Sequence, residues 1–237
     1  MLLFRSLVFL AFFYVWTVLC VLTAWPLMLW SRRAGRWYVN IWASGVLVLL
    51  RAIAGVRYRI LGMENIPDTP CLIASKHQSA WEIFALLKLL PDAAFVMKQE
   101  LIDIPLFGRY SLRVGMIPVE RDKGASALRS ITELAQREIA AGRHIVIFPE
   151  GTRRPVGAPP DYKTGVGLFY KRFGVPSVPV ALNSARHWPN GVTIKTPGTI
   201  TVSFLPVIPA GLSTKAYLAD LQDVIEKETE KLVREAD

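Results

Sequence analysis

The longest apolar stretch of the chain lies close to its amino end. Residues 6–30 form a run of 25 uncharged residues that is dense in Leu, Phe, Val and Trp. As a helix this run is about 37 Å long, which exceeds a hydrocarbon core of about 30 Å. A second apolar run covers residues 37–50, and its 14 residues are too few to span a bilayer. We therefore predict that the second run is re-entrant, interfacial or packed against the first helix.

The flanks of these two runs favour a membrane element over a cleaved signal peptide. The first run is longer than a signal-peptide core, and no small-x-small cleavage site precedes the next polar segment. Arg32, Arg33 and Arg36 separate the runs and favour a cytoplasmic or headgroup location for the connection. The pattern predicts a membrane helix pair and leaves open whether the first helix spans or is re-entrant. Five aromatic residues provide anchors near headgroup depth: Trp25, Trp30, Trp37, Tyr38 and Trp42.

Beyond residue 55 the pattern alternates between strand-like and helix-like segments. We therefore predict an α/β fold with a mixed, largely parallel sheet flanked by helices. The predicted division is a membrane-anchoring helix pair at residues 1–54 and an α/β domain at residues 55–237. The strand-like segments are residues 57–61, 72–74, 94–97, 116–119, 144–148, 178–182 and 200–207. The helical segments are residues 79–90, 125–141, 167–173 and 214–236.

Composition narrows the choice of partners. The net charge is +9, the pI is about 9.8 and 52% of the residues are hydrophobic. Such a chain favours anionic partners, either lipid headgroups and phosphorylated substrates or nucleic acid. The basic residues are scattered and no recognised nucleic-acid motif occurs, so we expect no nucleic-acid partner. Two separated cysteines and three histidines predict neither a disulfide framework nor a His-rich metal site.

Two residues that follow the strand at 72–74 are candidates for catalysis. His77 and Glu82 are five positions apart, and Ser79 with Glu82 forms an S-x-x-E capping box ahead of an apolar helix. A purely structural interpretation makes Glu82 a helix cap only. Five residues of continuous helix rotate by about 140°, so the two side chains meet only if His77 precedes the helix. The capping box places Glu82 in the first turn, from which it can reach back to His77.

Three further segments carry candidate residues. Residues 148–154 read Phe-Pro-Glu-Gly-Thr-Arg-Arg, a turn that offers backbone amides, a hydroxyl and a guanidinium to a phosphate. The alternative for this turn is an ordinary surface loop with solvated arginines. Arg121 lies in the charged segment at residues 115–122, and alone it is typical of a surface ion pair. Residues 178–183, Val-Pro-Val-Ala-Leu-Asn, are alone only a core strand.

Together and in this order, the four segments resemble the 1-acylglycerol-3-phosphate acyltransferase family, of the bacterial type, within the wider glycerolipid acyltransferases. That family reads His-x4-Asp, Gly-x5-Arg, Phe-Pro-Glu-Gly-Thr-Arg and a Val-Pro-Val strand, and here the third block is complete. Glu82 replaces the usual Asp and keeps the carboxylate on a side chain one methylene longer. The resemblance covers residues 77–183 and includes further matches at Lys98, Glu100, Leu101, Pro105, Gly108 and residues 163–165.

The resemblance implies the glycerolipid acyltransferase fold and direct acyl transfer to the sn-2 hydroxyl of lysophosphatidic acid. His77 is then the general base, and Glu82 orients its imidazole and stabilises the imidazolium. The acyl donor, acyl-CoA or acyl carrier protein, is a co-substrate, and no cofactor or metal is implied. The implied phosphate-binding residues are Lys98, Arg121 and Arg153, in a pocket shaped by Glu150, Gly151 and Thr152.

The resemblance further implies a bacterial inner membrane location, with the catalytic domain on the cytoplasmic face and the lipid bilayer as a partner. A covalent intermediate is unnecessary because the acceptor hydroxyl is itself the nucleophile, and no G-x-S-x-G elbow occurs. Two alternatives stay open. The acceptor is another lysolipid, such as a lyso-ornithine lipid or a lysophospholipid with a larger headgroup, or the chain is a non-catalytic membrane protein that binds anionic lipid.

Overall fold

The amino-terminal apolar sequence folds into three consecutive helices. The computed structural model describes residues 1–119 and 124–236, and its first helices are α1 (Leu2–Thr23), α2 (Trp25–Trp30) and α3 (Arg32–Leu49). The predicted helix at residues 6–30 is therefore divided in two. Pro26 lies in the first turn of α2, where its missing N–H and fixed φ are tolerated, whereas inside one long helix they break the hydrogen-bond ladder.

The second helical run is longer than its apolar segment. α3 continues through a π-turn at Leu50–Ala54 and ends at Gly55, whose φ of 73° is left-handed. Counted together, Arg32–Ala54 comprise 23 residues. Both this stretch and α1 are long and apolar enough to cross a membrane. Residues 32–36 at its start and residues 51–54 at its end supply the additional turns that a count of apolar residues leaves out.

The helix pair is joined by close packing. Trp16 donates its indole N–H to the carbonyl of Trp42 at 3.0 Å, and Trp42 donates to the hydroxyl of Thr17 at 3.2 Å. A Cβ at Gly45 would lie 2.5 Å from the indole of Trp16, so only glycine permits this approach. This contact agrees with the predicted packing of the second run on the first helix. The opposite side of α1 leaves large apolar side chains exposed, among them Leu3, Phe12, Val15, Val18 and Leu22.

The helix pair also shares a hydrophobic core with the sheet. Phe9 of α1 is fully buried and meets Trp188 edge-on, with ring centroids 5.3 Å apart. Phe13 contacts Phe84 in the same manner at 5.8 Å. Arg5 donates from Nε to the carbonyl of Ile53 at 2.7 Å. One hydrophobic core includes residues on both sides of the predicted boundary between residues 54 and 55. The division into two domains therefore stays a prediction.

The remainder forms a seven-stranded sheet in the order β1-β7-β6-β2-β5-β3-β4. All neighbouring pairs are parallel except β6 with β7, which confirms the predicted mixed, largely parallel sheet. The strands are β1 (Val56–Leu61), β2 (Leu72–Ser75), β3 (Ala94–Lys98), β4 (Ile117–Val119), β5 (Ile145–Ile147), β6 (Ser177–Leu182) and β7 (Gly198–Phe204). The helices are α4 (Trp81–Leu89), α5 (Phe107–Arg113), α6 (Gly124–Ala140), α7 (Thr164–Phe173) and α8 (Thr214–Arg234).

Helices cover the sheet on both faces. Side chains alternate across a strand, so Ile73 of β2 packs with α1, α3 and α4, whereas Leu72 and Ala74 pack with α6, α7 and α8. β5 is the parallel neighbour of β2, with Leu72 opposite Ile145. The carboxyl ends of these two strands therefore meet at one edge, which brings residues 76–80 beside residues 148–154.

Candidate active site

His77 and Glu82 are in contact at the carboxyl end of β2. His77 lies on the irregular segment between β2 and α4, and Glu82 lies in the first turn of α4. The Nδ1 atom of His77 is 2.9 Å from Oε1 of Glu82. Glu82 is completely buried, and His77 is 9% exposed. This is the arrangement that the five-residue spacing requires, with the histidine ahead of the helix.

Hydrogen bonds converge on the carboxylate of Glu82. Its Oε1 accepts from the backbone N–H groups of Gln78 at 2.5 Å and Ser79 at 2.7 Å, and its Oε2 accepts from the hydroxyl of Ser184 at 2.8 Å. Burial, the largest influence, raises the pKa of Glu82, but the contact with His77 and the backbone donors outweigh it and hold the pKa below its ordinary value. Glu82 is therefore an ionised carboxylate inside the protein.

The capping box is formed in part. Glu82 reaches back to the N–H of Ser79, as the S-x-x-E pattern predicts. The hydroxyl of Ser79 accepts from the N–H of Trp81 at 2.8 Å instead of from the N–H of residue 82. The structural and the catalytic interpretations of Glu82 are compatible, because one oxygen atom caps the helix and holds the imidazole.

These contacts determine which nitrogen of His77 faces a substrate. A carboxylate only accepts hydrogen bonds, so Nδ1 carries the proton and Nε2 carries the lone pair. The ring stacks on Phe148 with centroids 4.0 Å apart and planes 21° apart, and the carbonyl of His77 accepts from the N–H of Arg154 at 2.8 Å. The segment after β5 thus fixes both the ring and the backbone of His77. The arrangement is that of an oriented general base.

The turn after β5 is held from beneath by a buried ion cluster. Gly151 has a φ of 66° and donates to the carbonyl of Phe148 at 2.9 Å, closing the turn. Glu150 is 1% exposed and faces Lys76, with Nζ 3.0 Å from its Oε1. Lys76 also bonds Glu226 of α8 at 2.7 Å. Burial raises the pKa of Glu150, and the charge of Lys76 opposes that effect. Glu150 therefore supports the turn from below, and its carboxylate does not face outward.

The structure brings only part of the predicted phosphate-binding set to one place. Arg153 is half-buried and lines a cavity of about 240 Å³ beside Ala80, on the His77 turn. Its Nη1 donates to Oδ1 of Asn190 at 3.2 Å. Thr152 is exposed on the same turn, and Lys98 is exposed at the carboxyl end of β3, outside the lining of that cavity. Arg121 lies outside the described residues.

Several residues at the site carry no recognisable sequence signal. Ser184 follows β6, the strand beside β2, so only the strand order indicates that it reaches Glu82. Lys195 lines the cavity with Arg153 although 42 positions separate them along the chain. Lys76 lies next to His77, but its partner Glu226 belongs to the carboxyl-terminal helix.

The other histidines lie apart from this arrangement. Nδ1 of His144 is 3.1 Å from Sγ of Cys71, and burial raises the pKa of the Cys71 thiol to about 12, which makes it a poor nucleophile. His187 contacts the carbonyl of Thr196 at 3.2 Å. Among residues 1–119 and 124–236, no group of three His, Cys, Asp or Glu side chains is placed to hold a metal ion.

Comparison with known proteins identifies the family. The Acyltransferase family model matches residues 57–183. The chain is 35% identical over 208 residues to the 1-acyl-sn-glycerol-3-phosphate acyltransferase of Pseudomonas aeruginosa, which covers 88% of this chain and 80% of that protein. The chain belongs to the acyltransferase family.

Other members of the acyltransferase family agree in sequence and in fold. The human 1-acyl-sn-glycerol-3-phosphate acyltransferase beta is 29% identical over 198 residues, covering 81% of this chain and 70% of that protein. The crystal structure of the 1-acyl-sn-glycerophosphate acyltransferase from Thermotoga maritima matches with a TM-score of 0.82 over 98% of both chains. At 22% identity, that match shows the shared fold. The region matched by the family model contains His77, Glu82 and Arg153, whereas Lys195 lies beyond it.

Proposed function

We propose that this acyltransferase moves a fatty acyl group from acyl-CoA or acyl carrier protein to the sn-2 hydroxyl of 1-acylglycerol-3-phosphate, which yields phosphatidic acid. The observation that carries the proposal is the His77–Glu82 pair. A buried carboxylate holds Nδ1 at 2.9 Å and leaves Nε2 with its lone pair. Ala80, three residues after His77, lines the cavity that also contains Arg153. The choice of 1-acylglycerol-3-phosphate as the acceptor follows the names of the relatives.

In the proposed reaction His77 is a general base. Nε2 takes the proton of the acceptor hydroxyl as that oxygen attacks the thioester carbonyl of the donor. The tetrahedral intermediate collapses, the carbon–sulfur bond breaks, and the thiolate takes the proton from the imidazolium. Glu82 keeps the imidazole in the productive tautomer and stabilises its charge, as the third member of a hydrolytic triad does. No acyl-enzyme forms, and no cofactor or metal takes part.

The acceptor phosphate is bound by cationic groups. In this proposal Arg153 contacts it from the cavity, and the turn at Gly151 and Thr152 shapes the pocket. Lys98 lies outside the lining of that cavity, so its contact, like that of Arg121, is proposed from the family resemblance alone. Guanidinium and ammonium groups suit a phosphate monoester because their hydrogen bonds are charge-assisted. The support for Arg153 is its position in the cavity beside the His77 turn.

The proposed location is a bacterial inner membrane with the α/β domain on the cytoplasmic face. The two apolar helices and the exposed apolar side of α1 support insertion into lipid. Arg32, Arg33 and Arg36 at the connection support a cytoplasmic orientation. The lysolipid acceptor then reaches the site from the leaflet, and the water-soluble donor reaches it from the cytoplasm.

One assay tests the proposal and its alternatives. Membranes containing the protein are given acyl-CoA or acyl carrier protein with one of several acceptors, and thiol release is measured. We expect release that depends on added 1-acylglycerol-3-phosphate. Preference for a lyso-ornithine lipid or for a lysophospholipid with a larger headgroup contradicts the proposed acceptor. Absence of release with every acceptor contradicts the enzyme function and supports a lipid-binding protein.

A further inference from the structure

Lys195 is a buried cation at the wall of the cavity. Only 3% of this residue is exposed. Its Nζ donates to the carbonyls of Val192 at 2.9 Å and Thr193 at 2.7 Å, and it lies 5.4 Å from the centre of the Trp188 ring. An ammonium group has three N–H donors, so one donor remains for another acceptor. These contacts fix the direction of the ammonium.

The charge of Lys195 is not balanced within the described part of the chain. No carboxylate among those residues pairs with it, and burial lowers the pKa of the ammonium with no opposing acidic neighbour. Buried charges in proteins are normally paired, because removing an ion from water is costly. Backbone carbonyls orient this ammonium but do not neutralise it. A cation placed in this way favours an anionic ligand.

Arg153 presents a second cation to the same cavity. Its guanidinium bonds the neutral Asn190 at 3.2 Å, and no carboxylate in residues 1–119 or 124–236 pairs with it. Two basic residues therefore line a space of about 240 Å³, and neither is paired with a carboxylate in the part of the chain that the structure describes. A space of this size accommodates a phosphate headgroup.

The position of the cavity relates it to both the base and the lipid. Ala80, three residues after His77, forms part of its wall, and Leu10 of α1 forms another part. The backbone N–H of Lys195 is bonded to the hydroxyl of Ser6 at 2.9 Å, so α1 also positions the lysine. A lysolipid whose phosphate lies between the two cations can extend its acyl chain along the apolar side of α1.

We propose that Lys195 and Arg153 together bind the phosphate monoester of the acyl acceptor, and that Lys195 determines selectivity for phosphate-bearing acceptors. This inference rests on the proposed function and adds to it a binding residue from the carboxyl-terminal part of the chain. The donor also carries phosphate groups, so the experiment separates the two sources.

The test compares Lys195→Met with wild type in the membrane-bound, full-length protein. Methionine keeps an unbranched side chain and removes the ammonium, including its contact with the Trp188 ring. We expect the KM for 1-acylglycerol-3-phosphate to rise by about 10- to 100-fold, the effect of losing one charge-assisted hydrogen bond. The KM for the acyl donor should stay within about twofold of the wild-type value, because the variant removes a contact with the acceptor only. Lys215→Met, at an exposed position of α8, is the matched control and should change neither constant.

A second variant avoids the buried position. Asn190 is exposed, and Asn190→Asp places a carboxylate beside Arg153 and in the cavity that Lys195 lines. It should raise the acceptor KM selectively and should raise the inhibition constant of sn-glycerol 3-phosphate against the acceptor. Asn190→Ala should have a smaller effect, because it introduces no negative charge.

The outcomes are distinct. A rise in the donor KM alone assigns the cavity to the donor phosphates and overturns the inference. An unchanged acceptor KM in both Lys195→Met and Asn190→Asp also overturns the inference. In that case the proposed function still stands if the activity of the wild type depends on the phosphate of the acceptor. If wild type acylates a monoacylglycerol without phosphate as well as it acylates 1-acylglycerol-3-phosphate, the proposed acceptor fails, and the inference fails with it.

Discussion

At the scale of single residues, Glu82 joins two functions that are usually separate. The same oxygen accepts from two backbone N–H groups and from His77, so the helix start and the base are positioned by one carboxylate. An aspartate at this position is one methylene shorter and has to approach the turn more closely. The longer side chain therefore matches the distance between the first turn of α4 and the residues before it.

Loss of either member of the pair should reduce turnover more than binding. For His77→Ala and Glu82→Gln we expect kcat to fall by about 10²- to 10⁴-fold, the range for removal of a general base or its orienting group. KM values should change little, since neither side chain binds the acceptor phosphate. Acceptor-dependent thiol release measures both constants. Glu133→Gln, at an exposed site of α6, is the control; near wild-type turnover by folded His77→Ala would falsify the mechanism.

The lowered pKa of Glu82 predicts a particular dependence of stability on pH. Because its folded-state pKa lies below the ordinary value of 4.5, its stabilising effect is complete above that value and is lost as the pH falls through the folded-state pKa. We expect Glu82→Gln to melt at a lower temperature than wild type near neutral pH. The difference should shrink below pH 4.5. A difference that stays constant across this range contradicts the ionised state of Glu82.

Sequence predicts these residues unequally. The five-residue spacing permits only one arrangement in which His77 and Glu82 meet. The other motif blocks are needed to favour that contact over a helix cap alone. Ser184 and Lys195 cannot be placed from the sequence, since their contacts depend on which strands are neighbours and on where α1 lies. For Glu150 the sequence predicts the wrong environment. Its motif places it in the turn at residues 148–154, but its side chain is buried beneath that turn, where it pairs with Lys76.

At the scale of elements, hydrophobic periodicity identifies the strands of the sheet and four of the helices that flank it. The helix α5 has only seven residues, which are too few to show a clear hydrophobic period. It begins after Leu106, whose φ of 64° is unusual outside glycine and is not predictable from the sequence. The antiparallel pairing of β6 with β7 is also not readable from either strand. It depends on the path of residues 183–197, which return the chain to the position beside β6 in the opposite direction.

The ion cluster of Lys76, Glu150 and Glu226 connects three elements and should be strongly cooperative. Lys76→Met leaves a buried carboxylate without its partner, so we expect a loss of about 3–5 kcal/mol in the free energy of unfolding. Adding Glu150→Gln should recover much of that loss, because a neutral amide replaces the unpaired charge. Denaturant unfolding in detergent measures both variants.

The control for this cluster is an exposed pair on α8. Lys227→Met removes the contact with Asp223 at 2.8 Å, and solvent screening should limit its effect to about 0.5 kcal/mol. Equal losses for Lys76→Met with and without Glu150→Gln contradict the role of the buried charge. Equal losses for the Lys76 and Lys227 variants contradict the importance of burial.

At the scale of the whole molecule, the two apolar amino-terminal helices are part of the folded core. The sequence separates residues 1–54 from the rest by composition, but Phe9 and Phe13 pack against Trp188 and Phe84 of the other part. Such contacts between distant positions are not encoded in the local pattern of either segment. The apolar run identifies the segment that is expected to contact lipid. It does not predict which side chains of that segment pack against the rest of the protein.

Removal of α1 should therefore disturb folding of the entire chain. A protein that lacks residues 1–23 loses Phe9 and exposes the core beneath it, and we expect aggregation or a non-cooperative melt in detergent. Val18→Ser and Leu22→Ser, on the exposed side of α1, should leave the melting temperature in detergent unchanged. A soluble truncated protein with a cooperative transition contradicts this expectation.

The place of Leu10 in the cavity wall has a consequence for kinetics. If one wall of the binding site belongs to a helix in the leaflet, the acceptor meets the enzyme by lateral diffusion within the lipid. Encounter frequency is then set by molecules per unit area and not by molecules per unit volume. Mixing inert lipid into vesicles at constant total acceptor should slow the reaction, a surface-dilution effect that a donor arriving from water does not show.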